Sequence, residues 1–166
     1  MEVENCGRVY VKRELLMENL VRLLSENDLE KASTIYTYVF CSDPWNEPWS
    51  NQTSYKRLKD ISETPGYIGI GYFDSNNQMI GFLVGNEEQW ADGKSFYINE
   101  ICVLTNTQQS GIGSSLLKYL KNILKQKNVD TAYLSTERGK GKPELFFRKN
   151  GYVTNESRVI MTTTIF

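Results

Sequence analysis

Residues 99–116 read NEICVLTNTQQSGIGSSL, and this stretch decides the fold. An apolar run over 96–104, typical of a strand, leads into a polar loop that ends in the pair Gly111 and Gly113. The glycines open a segment over 111–127 whose leucines and isoleucines recur at helical spacing. A strand, a glycine loop and a helix in this order direct the free N–H groups of the first helical turn toward one point, where an anion such as phosphate binds well.

The Gly-x-Gly pair alone fits either an anion-binding loop or a turn that only begins a helix. Two nucleotide motifs are disfavoured by the neighbouring residues. A dinucleotide-binding fingerprint needs a third glycine where Leu116 stands. A P-loop needs Gly-Lys-Ser or Gly-Lys-Thr after a four-residue gap, and neither 111–115 nor 139–142 provides it.

Outward from this stretch, the hydrophobic pattern predicts one domain that mixes helices and strands. Ser25 or Asn27 caps a helix that continues through Val39, and a loop rich in Trp and Pro follows. The other predicted helices are 51–62, 111–127 and 143–150, and the predicted strands are 20–24, 67–73, 79–84, 96–104, 131–136, Val153 and 159–165. We expect an α+β (mixed α/β) domain over residues 19–166, preceded by an arm at 1–18 with a short strand at 9–11.

Composition narrows the class of protein. The chain has 166 residues, of which 40% are hydrophobic and 23% charged, as expected for a compact globular domain. It contains no histidine, which excludes Ser-His-Asp and Cys-His catalysis and histidine-ligated zinc. A net charge of −1 argues against a protein that coats nucleic acid through positive charge.

The cysteines and the termini indicate the compartment. Cys6, Cys41 and Cys102 are odd in number and form no CxxC pair, so we expect neither a disulfide framework nor a metal site. The first residues lack the basic and apolar regions of a secretory signal, and no apolar run approaches the roughly 18 residues that span a bilayer. The sequence therefore predicts a cytoplasmic protein that binds neither membranes nor nucleic acid, and it allows a homodimer.

The motif Gln108-x-x-Gly111-x-Gly113, five residues after Val103 and followed by a Leu-rich helix, resembles the acetyl-CoA signature of the GNAT acetyltransferases. A second landmark, FFRKNGY over 146–152, is similar to a late aromatic segment of that family. The resemblance covers the chain from about Leu20 onward and implies a central, mostly antiparallel twisted sheet flanked by helices. The loop over 40–49 looks like one found in aminoglycoside-type members.

The resemblance implies that acetyl-CoA is the cosubstrate. In this family, backbone amides of the glycine loop hold the pyrophosphate, and the strand before the loop pairs with the pantetheine arm like an added strand. The loop residues concerned are Gln108, Gln109, Ser110, Gly111, Ile112, Gly113 and Ser114, and the strand residues are Ile101, Cys102 and Val103.

The resemblance also implies that Glu100 is a general base. An acceptor ammonium has no lone pair, so it cannot attack a thioester until a base or a desolvating pocket removes its proton. Period-two alternation places Phe96, Ile98, Cys102 and Leu104 on the face of Glu100, where apolar neighbours would raise its pKa. The alternative is that Glu100 is an ordinary exposed strand residue.

Two further roles concern the thioester. The N–H of Val103 is expected to polarise its carbonyl oxygen. The family's usual acid is a tyrosine in the late aromatic segment, where this chain has Phe147, which has no proton to donate. Water or the hydroxyl of Tyr133 or Ser135 would take its place. An acetyl-enzyme through Cys102 is disfavoured because no clear base activates that thiol.

The acceptor side is predicted from acidic and aromatic residues together. Asp43 and Trp49 lie in the loop over 40–49, which we call the Trp-Pro loop. An acidic residue beside an aromatic one suits a cationic amine through charge pairing and cation–π contact. The same residues also fit simple packing and solvation. The sequence thus predicts transfer of an acetyl group from acetyl-CoA to a primary amine of a small cation, such as an aminoglycoside, by direct attack in a ternary complex. The alternatives are a non-catalytic acyl-CoA-binding or regulatory module and a protein or peptide N-acetyltransferase.

Overall fold

The structure is a computed structural model that describes residues 20–138 and 142–165. It divides into two compact units, 1–134 and 135–166, which we describe separately. The predicted arm at 1–18 and its strand at 9–11 lie outside the described residues.

The first unit is built on a five-stranded sheet in the order β1-β2-β3-β4-β5. Neighbouring strands are antiparallel except β4 and β5, which are parallel. The strands are β1 Val21–Leu23, β2 Tyr67–Phe73, β3 Met79–Trp90, β4 Gly93–Val103 and β5 Thr131–Tyr133. This arrangement confirms the predicted α+β class and its mostly antiparallel sheet.

Residues 20–134 of the first unit contain three α-helices: α1 Leu29–Phe40, α2 Asn51–Ser62 and α3 Ile112–Gln126. Ser25 begins the first helical segment in a capping box with Asp28, whose carboxylate accepts from the Ser25 amide at 2.9 Å. Ser50 caps α2 in the same way, accepting from the Thr53 amide at 3.1 Å. The predicted starts of both helices therefore follow from local capping chemistry.

The sheet carries helices on both faces. On one face, α1 and α2 pack over β3 and β4 in a core that includes Leu58, Phe82 and Cys102. The helix α3 lies on the other face. This follows from Gly81 of β3, where a Cβ would meet Ile112 of α3 at 3.2 Å. We call these the α1/α2 face and the α3 face.

A β-bulge in β4 changes which side chains reach the α1/α2 face. Glu100 pairs with Val84 and Ile98 pairs with Gly85, so Asn99 is the extra residue. Val84 and Gly85 are consecutive and point to opposite faces, and so do their partners. The expectation that Glu100 shares a face with Phe96 and Ile98 is therefore wrong, because the bulge interrupts the period of two.

The partner strand β5 is short. It pairs with β4 only between Ser95–Tyr97 and Thr131–Tyr133, and the predicted continuation to residue 136 is absent from the structure. Beyond Tyr97, β4 runs on to Val103 without β5 beside it. Within the described residues of the first unit, this edge of β4 is therefore open.

The second unit contains α4, Lys142–Lys149. The ring of Phe147 contacts the rings of Phe146 and Tyr152, with centroids 5.0 and 5.6 Å apart. The strands predicted at Val153 and 159–165 are not formed in the described residues, although these residues have the right composition. Strand formation requires a backbone partner, and these apolar side chains are exposed instead.

Candidate functional site

The loop between β4 and α3 is shaped by two residues in the left-handed region. Gln109 has φ 65° and Gly111, the N-cap of α3, has φ 88°. The first ladder bond of the helix runs from the Ser115 amide to the Gly111 carbonyl at 2.9 Å. The N–H groups of residues 112–114 come before this first bond, so no carbonyl of the helix accepts from them. The loop thus brings the predicted residues Gln109 to Ser114 together at the positive end of a 15-residue helix.

Side chains within the loop hold it in place through backbone carbonyls. Gln108 Nε2 donates to the Val103 carbonyl at 3.2 Å, and Thr107 Oγ1 donates to the Leu104 carbonyl at 2.9 Å. The Ser110 hydroxyl donates to the Thr107 carbonyl. These three side chains occupy acceptors of the loop, so they do not use its amide donors.

The hydrogen-bond register shows which amides of β4 face its open edge. The Leu104 amide donates to the Ile80 carbonyl at 3.0 Å, and Val103 lies opposite Gly81. Val103 is therefore in a non-hydrogen-bonded pair, and its N–H and C=O point away from β3. By alternation Ile101 does the same, whereas the backbone of Cys102 faces β3. Val103 and Ile101 thus offer strand-like groups on the edge that β5 leaves open.

Glu100 lies on the α1/α2 face, where its side chain is only 9% exposed. Arg57 of α2 donates to Glu100 Oε1 twice, from Nε at 2.7 Å and from Nη2 at 2.5 Å. Burial raises the pKa of Glu100, while the charge and hydrogen bonds of Arg57 oppose that rise. The carboxylate is therefore neither exposed nor isolated among apolar groups; it belongs to an ion pair.

Two residues from other elements also act on this carboxylate. Tyr36 of α1 lowers the pKa of Glu100 through its polar hydroxyl, and the negative charge of Glu47 raises it. Burial raises the pKa of Tyr36 itself, so its hydroxyl remains protonated at neutral pH. The Cys102 thiol is buried beside Glu100, and burial raises its pKa well above the ordinary value. A neutral, buried thiol is a poor nucleophile.

The Trp-Pro loop packs against the same face. The Trp49 ring meets the Tyr36 ring edge-on at 5.0 Å, and its Nε1 donates to Glu47 Oε2 at 2.6 Å. Asp43 is exposed and accepts from Asn46 Nδ2 at 2.7 Å. The structure thus places Trp49 beside the Glu100 cluster, whereas the Asp43 carboxylate takes part in a local turn.

An open groove of about 400 Å³ runs along α2 beside this cluster. Its charged walls include Arg57 and the pair formed by Lys56 and Asp60, whose atoms are 2.7 Å apart. The full lining is Trp49, Thr53, Lys56, Arg57, Asp60, Ile61 and Thr64. The Arg57 side chain therefore lines the groove with its exposed part, and its guanidinium donates to Glu100.

Tyr133 lies on the same face as Glu100. It is opposite Tyr97 in the sheet, with the two rings 5.0 Å apart, and Tyr97 is opposite Asn86. Asn86 is two residues from Val84, the partner of Glu100, so all of these side chains share the α1/α2 face. The Tyr133 hydroxyl donates to Glu88 Oε2 at 2.6 Å.

The sequence profile of the Acetyltransferase (GNAT) family matches residues 27–152. The chain belongs to the GNAT family. No curated protein sequence matches it.

Solved structures share the fold of this GNAT protein at low sequence identity. An aminoglycoside acetyltransferase from an uncultured soil metagenomic sample, in complex with sisomicin, has 18% identity and a TM-score of 0.69, covering 90% of this chain and 99% of that one. A GNAT family acetyltransferase of Staphylococcus aureus has 21% identity and a TM-score of 0.66, covering 86% and 97%. A transcriptional regulator of Bacillus halodurans has 17% identity and a TM-score of 0.68, covering 87% and 98%.

Two residues near Glu100 are absent from the sequence-based prediction of the site: Arg57 and Tyr36. One signal for Arg57 was available, since the buried residues Ser54, Leu58 and Ile61 mark the inner stripe of α2 and Arg57 lies at its border. Tyr36 belongs to the buried stripe of α1. Glu47 lies in the loop whose acidic and aromatic residues predict the acceptor side, but its proximity to Glu100 depends on how that loop folds back.

Within the described ranges, no group of three metal-ligating side chains comes together in this GNAT protein. None of the helices described is long and apolar enough to cross a membrane.

Proposed function

We propose that this protein transfers an acetyl group from acetyl-CoA to the primary amine of a small cationic acceptor, with both substrates bound together. One observation carries the proposal. Along β4, a buried carboxylate at Glu100 is followed three residues later by the outward-facing amide of Val103, and the glycine loop begins soon after. The same strand thus presents a base, a hydrogen-bond donor and an anion site.

The residues present fit acetyl-CoA. The amides of residues 112–114, which have no acceptor within the helix, are donors for the pyrophosphate, and Gly111 at φ 88° lets the backbone approach it without a Cβ. The N–H groups of Ile101 and Val103 and the carbonyl of Ile101 face the open edge of β4, where they can pair with the pantetheine arm, whereas the Val103 carbonyl already accepts from Gln108. When bound, acetyl-CoA supplies the activated acetyl thioester.

Each step has a candidate group in the chain. Glu100 takes a proton from the acceptor ammonium, directly or through a water, so that the nitrogen gains its lone pair. The Val103 N–H donates a hydrogen bond to the thioester carbonyl oxygen. The nitrogen then bonds to the carbonyl carbon and the C–S bond breaks. The departing sulfur takes a proton from Tyr133, relayed by water, and the nitrogen returns its second proton to Tyr133 by the same route. A thiolate leaves tolerably well without full protonation, so Tyr133 contributes less than Glu100.

The acceptor side of the proposal rests on Trp49 and the groove beside it. Trp49, held by Tyr36 and Glu47, offers an aromatic surface next to an acidic group, which suits an ammonium. Asp43, exposed at the rim of the same loop, adds a second carboxylate. The structural relative in complex with sisomicin makes aminoglycosides the first acceptors to test.

The decisive experiment measures release of free CoA from acetyl-CoA across a panel of aminoglycosides, polyamines and short peptides. We expect turnover with at least one small polycationic amine, and acetyl-CoA should raise the melting temperature. Turnover confined to peptides would instead support a protein or peptide N-acetyltransferase.

A second candidate is a non-catalytic acyl-CoA-binding regulator in the cytoplasm. It is favoured by Phe147 in place of the expected tyrosine and by the similarity to a protein called a transcriptional regulator. Stabilisation by acetyl-CoA without CoA release from any amine would support it. Absence of stabilisation would remove both candidates.

A further inference from the structure

We propose that Arg57 is a positioning residue that holds the Glu100 carboxylate by one oxygen and keeps it ionised on the buried face of the sheet. This inference rests on the proposed function, because it assigns how the proposed base is held. Its structural basis is the pair of bonds from Nε and Nη2, both to Oε1, between residues 43 apart in sequence.

The geometry of the pair fits a positioning role. Two donors from one rigid guanidinium constrain the Glu100 side chain more than a single donor would. Because both bonds end on Oε1, the guanidinium does not bond to Oε2. Arg57 approaches from the groove, where its side chain is 43% exposed, while Glu100 is 9% exposed. The acceptor ammonium would therefore meet Oε2 while Arg57 retains Oε1.

The charges around Glu100 make Arg57 the group that opposes its burial. The groups facing the carboxylate are Arg57 from α2, Tyr36 from α1, Glu47 from the Trp-Pro loop and Cys102 from β4 itself. Tyr36 and Cys102 are neutral at pH 7, and Glu47 disfavours a second negative charge. Arg57 is the cation of the set, so it supplies the largest opposing effect to desolvation.

A base in this environment has a consequence for catalysis. Without Arg57, burial and Glu47 would both favour the protonated carboxyl, which accepts no proton. With Arg57, the carboxylate stays ionised to lower pH and in one orientation. Arg57 therefore acts through Glu100 and requires no contact with the reacting atoms.

The test compares Arg57→Gln and Arg57→Lys with Lys59→Gln. Lys59 is a half-buried cation on the same helix, paired with Glu63 at 3.3 Å, and it is absent from the groove lining. The first readout is a ¹³C NMR titration of the Glu100 carboxyl, assigned by its loss in Glu100→Gln. The second is the pH dependence of kcat/KM for the best amine.

We expect Arg57→Gln to move the Glu100 titration and the acidic limb of kcat/KM upward by about one pH unit, which lowers kcat/KM about tenfold on that limb. Arg57→Lys, which keeps the charge but loses the planar fork, should shift both by less. Lys59→Gln should leave both unchanged. If Arg57→Gln fails to fold, the Arg57→Lys shift decides the question.

An unmoved Glu100 titration in both Arg57 variants would overturn the inference, whether or not the enzyme is active. If the variants are active and the acidic limb of their kcat/KM profile stays at the wild-type pH, the inference about Arg57 is overturned as well. A wild-type protein that turns over no amine but shows the NMR shift in the variants would overturn the proposed function, while the hold of Arg57 on Glu100 would stand.

Discussion

The loop between β4 and α3 and the α1/α2 face of β4 are two halves of one proposed site, but they are built differently. In the loop, the proposed binding groups are backbone amides, arranged by the left-handed conformation of Gln109 and Gly111. On the α1/α2 face, the proposed base is a side chain, Glu100, which forms an ion pair with Arg57.

The difference teaches where each half is vulnerable. A backbone site depends on local φ values and on the helix that follows, so single changes within the loop should disturb it. A side-chain site depends on distant elements that must dock correctly, here α2 and the bulge at Asn99. Substitutions can therefore disable one half and leave the other intact.

The largest effect is expected from Gly85→Ala beside the bulge. A Cβ there would lie 2.6 Å from the Phe96 ring and would also overlap the backbone carbonyl of Tyr97, which cannot move without disrupting the sheet. We expect a loss of about 3 kcal/mol or more in the free energy of unfolding, measured by urea denaturation.

Gly151→Ala provides the comparison for that variant. Gly151 has a positive φ of 86°, which Gly85 does not have, but open space surrounds the position of its Cβ. It should cost only about 1 kcal/mol, from backbone strain. Equal losses in the two variants would show that the crowding at the bulge is not what makes Gly85 necessary.

Glu100→Gln should disable the side-chain half alone. The amide cannot take a proton from the acceptor, so kcat/KM should fall by about 10²–10⁴-fold. The affinity for CoA, measured by calorimetry, should change less than threefold because the loop amides are untouched. A pH–rate profile identical to that of the wild type would remove Glu100 from the role of base.

Gly111→Ala should weaken the backbone half alone. A Cβ at φ 88° costs roughly 1–2 kcal/mol, and relief of that strain would displace the amides. We expect the Kd for CoA to rise about tenfold while the Glu100 titration stays in place. Ser115→Ala is the control, since it removes only a hydroxyl that donates to the Gly111 carbonyl at 3.1 Å. Similar Kd values for the two variants would count against the loop as the CoA site.

Tyr133→Phe tests a smaller contribution to the side-chain half. It removes the hydroxyl that donates to Glu88 and the proposed proton for the departing sulfur. We expect kcat to fall about tenfold or less, since a thiolate departs without full protonation, and KM for the amine to stay constant. A loss as large as that of Glu100→Gln would reverse the ranking of the two groups.

The smallest expected effect concerns stability and pH. The pKa of Glu100 is raised in the folded state, so between the unfolded pKa and the folded pKa only the folded protein retains this proton. The contribution of Glu100 to the free energy of unfolding is therefore fully present below its pKa in the unfolded chain. It is lost as the pH rises through its pKa in the folded protein. Urea denaturation from pH 4 to 8 should show that decline in the wild type and lack it in Glu100→Gln. Parallel curves would mean that folding does not shift the Glu100 titration.

Much of the fold was predictable because its signals are local. The bounds of α2 and β2 match the predicted 51–62 and 67–73, and Ser25 caps as expected. Caps, turn residues and hydrophobic period act within a few residues of chain. The strand predicted at 159–165 is not formed in the structure. Its composition favours a strand, but composition does not supply the neighbouring strand that a sheet requires.

The sequence by itself determined the glycine loop, its place between a strand and an amphipathic helix, and the presence of a carboxylate three residues before Val103. Those features depend on backbone conformations that a few adjacent residues dictate. Only the tertiary structure decided that a bulge turns Glu100 to the α1/α2 face, that β5 leaves the edge of β4 open, and that Arg57 pairs with Glu100. The physical reason is that these depend on the docking of α2 and the register between strands, which long-range packing sets.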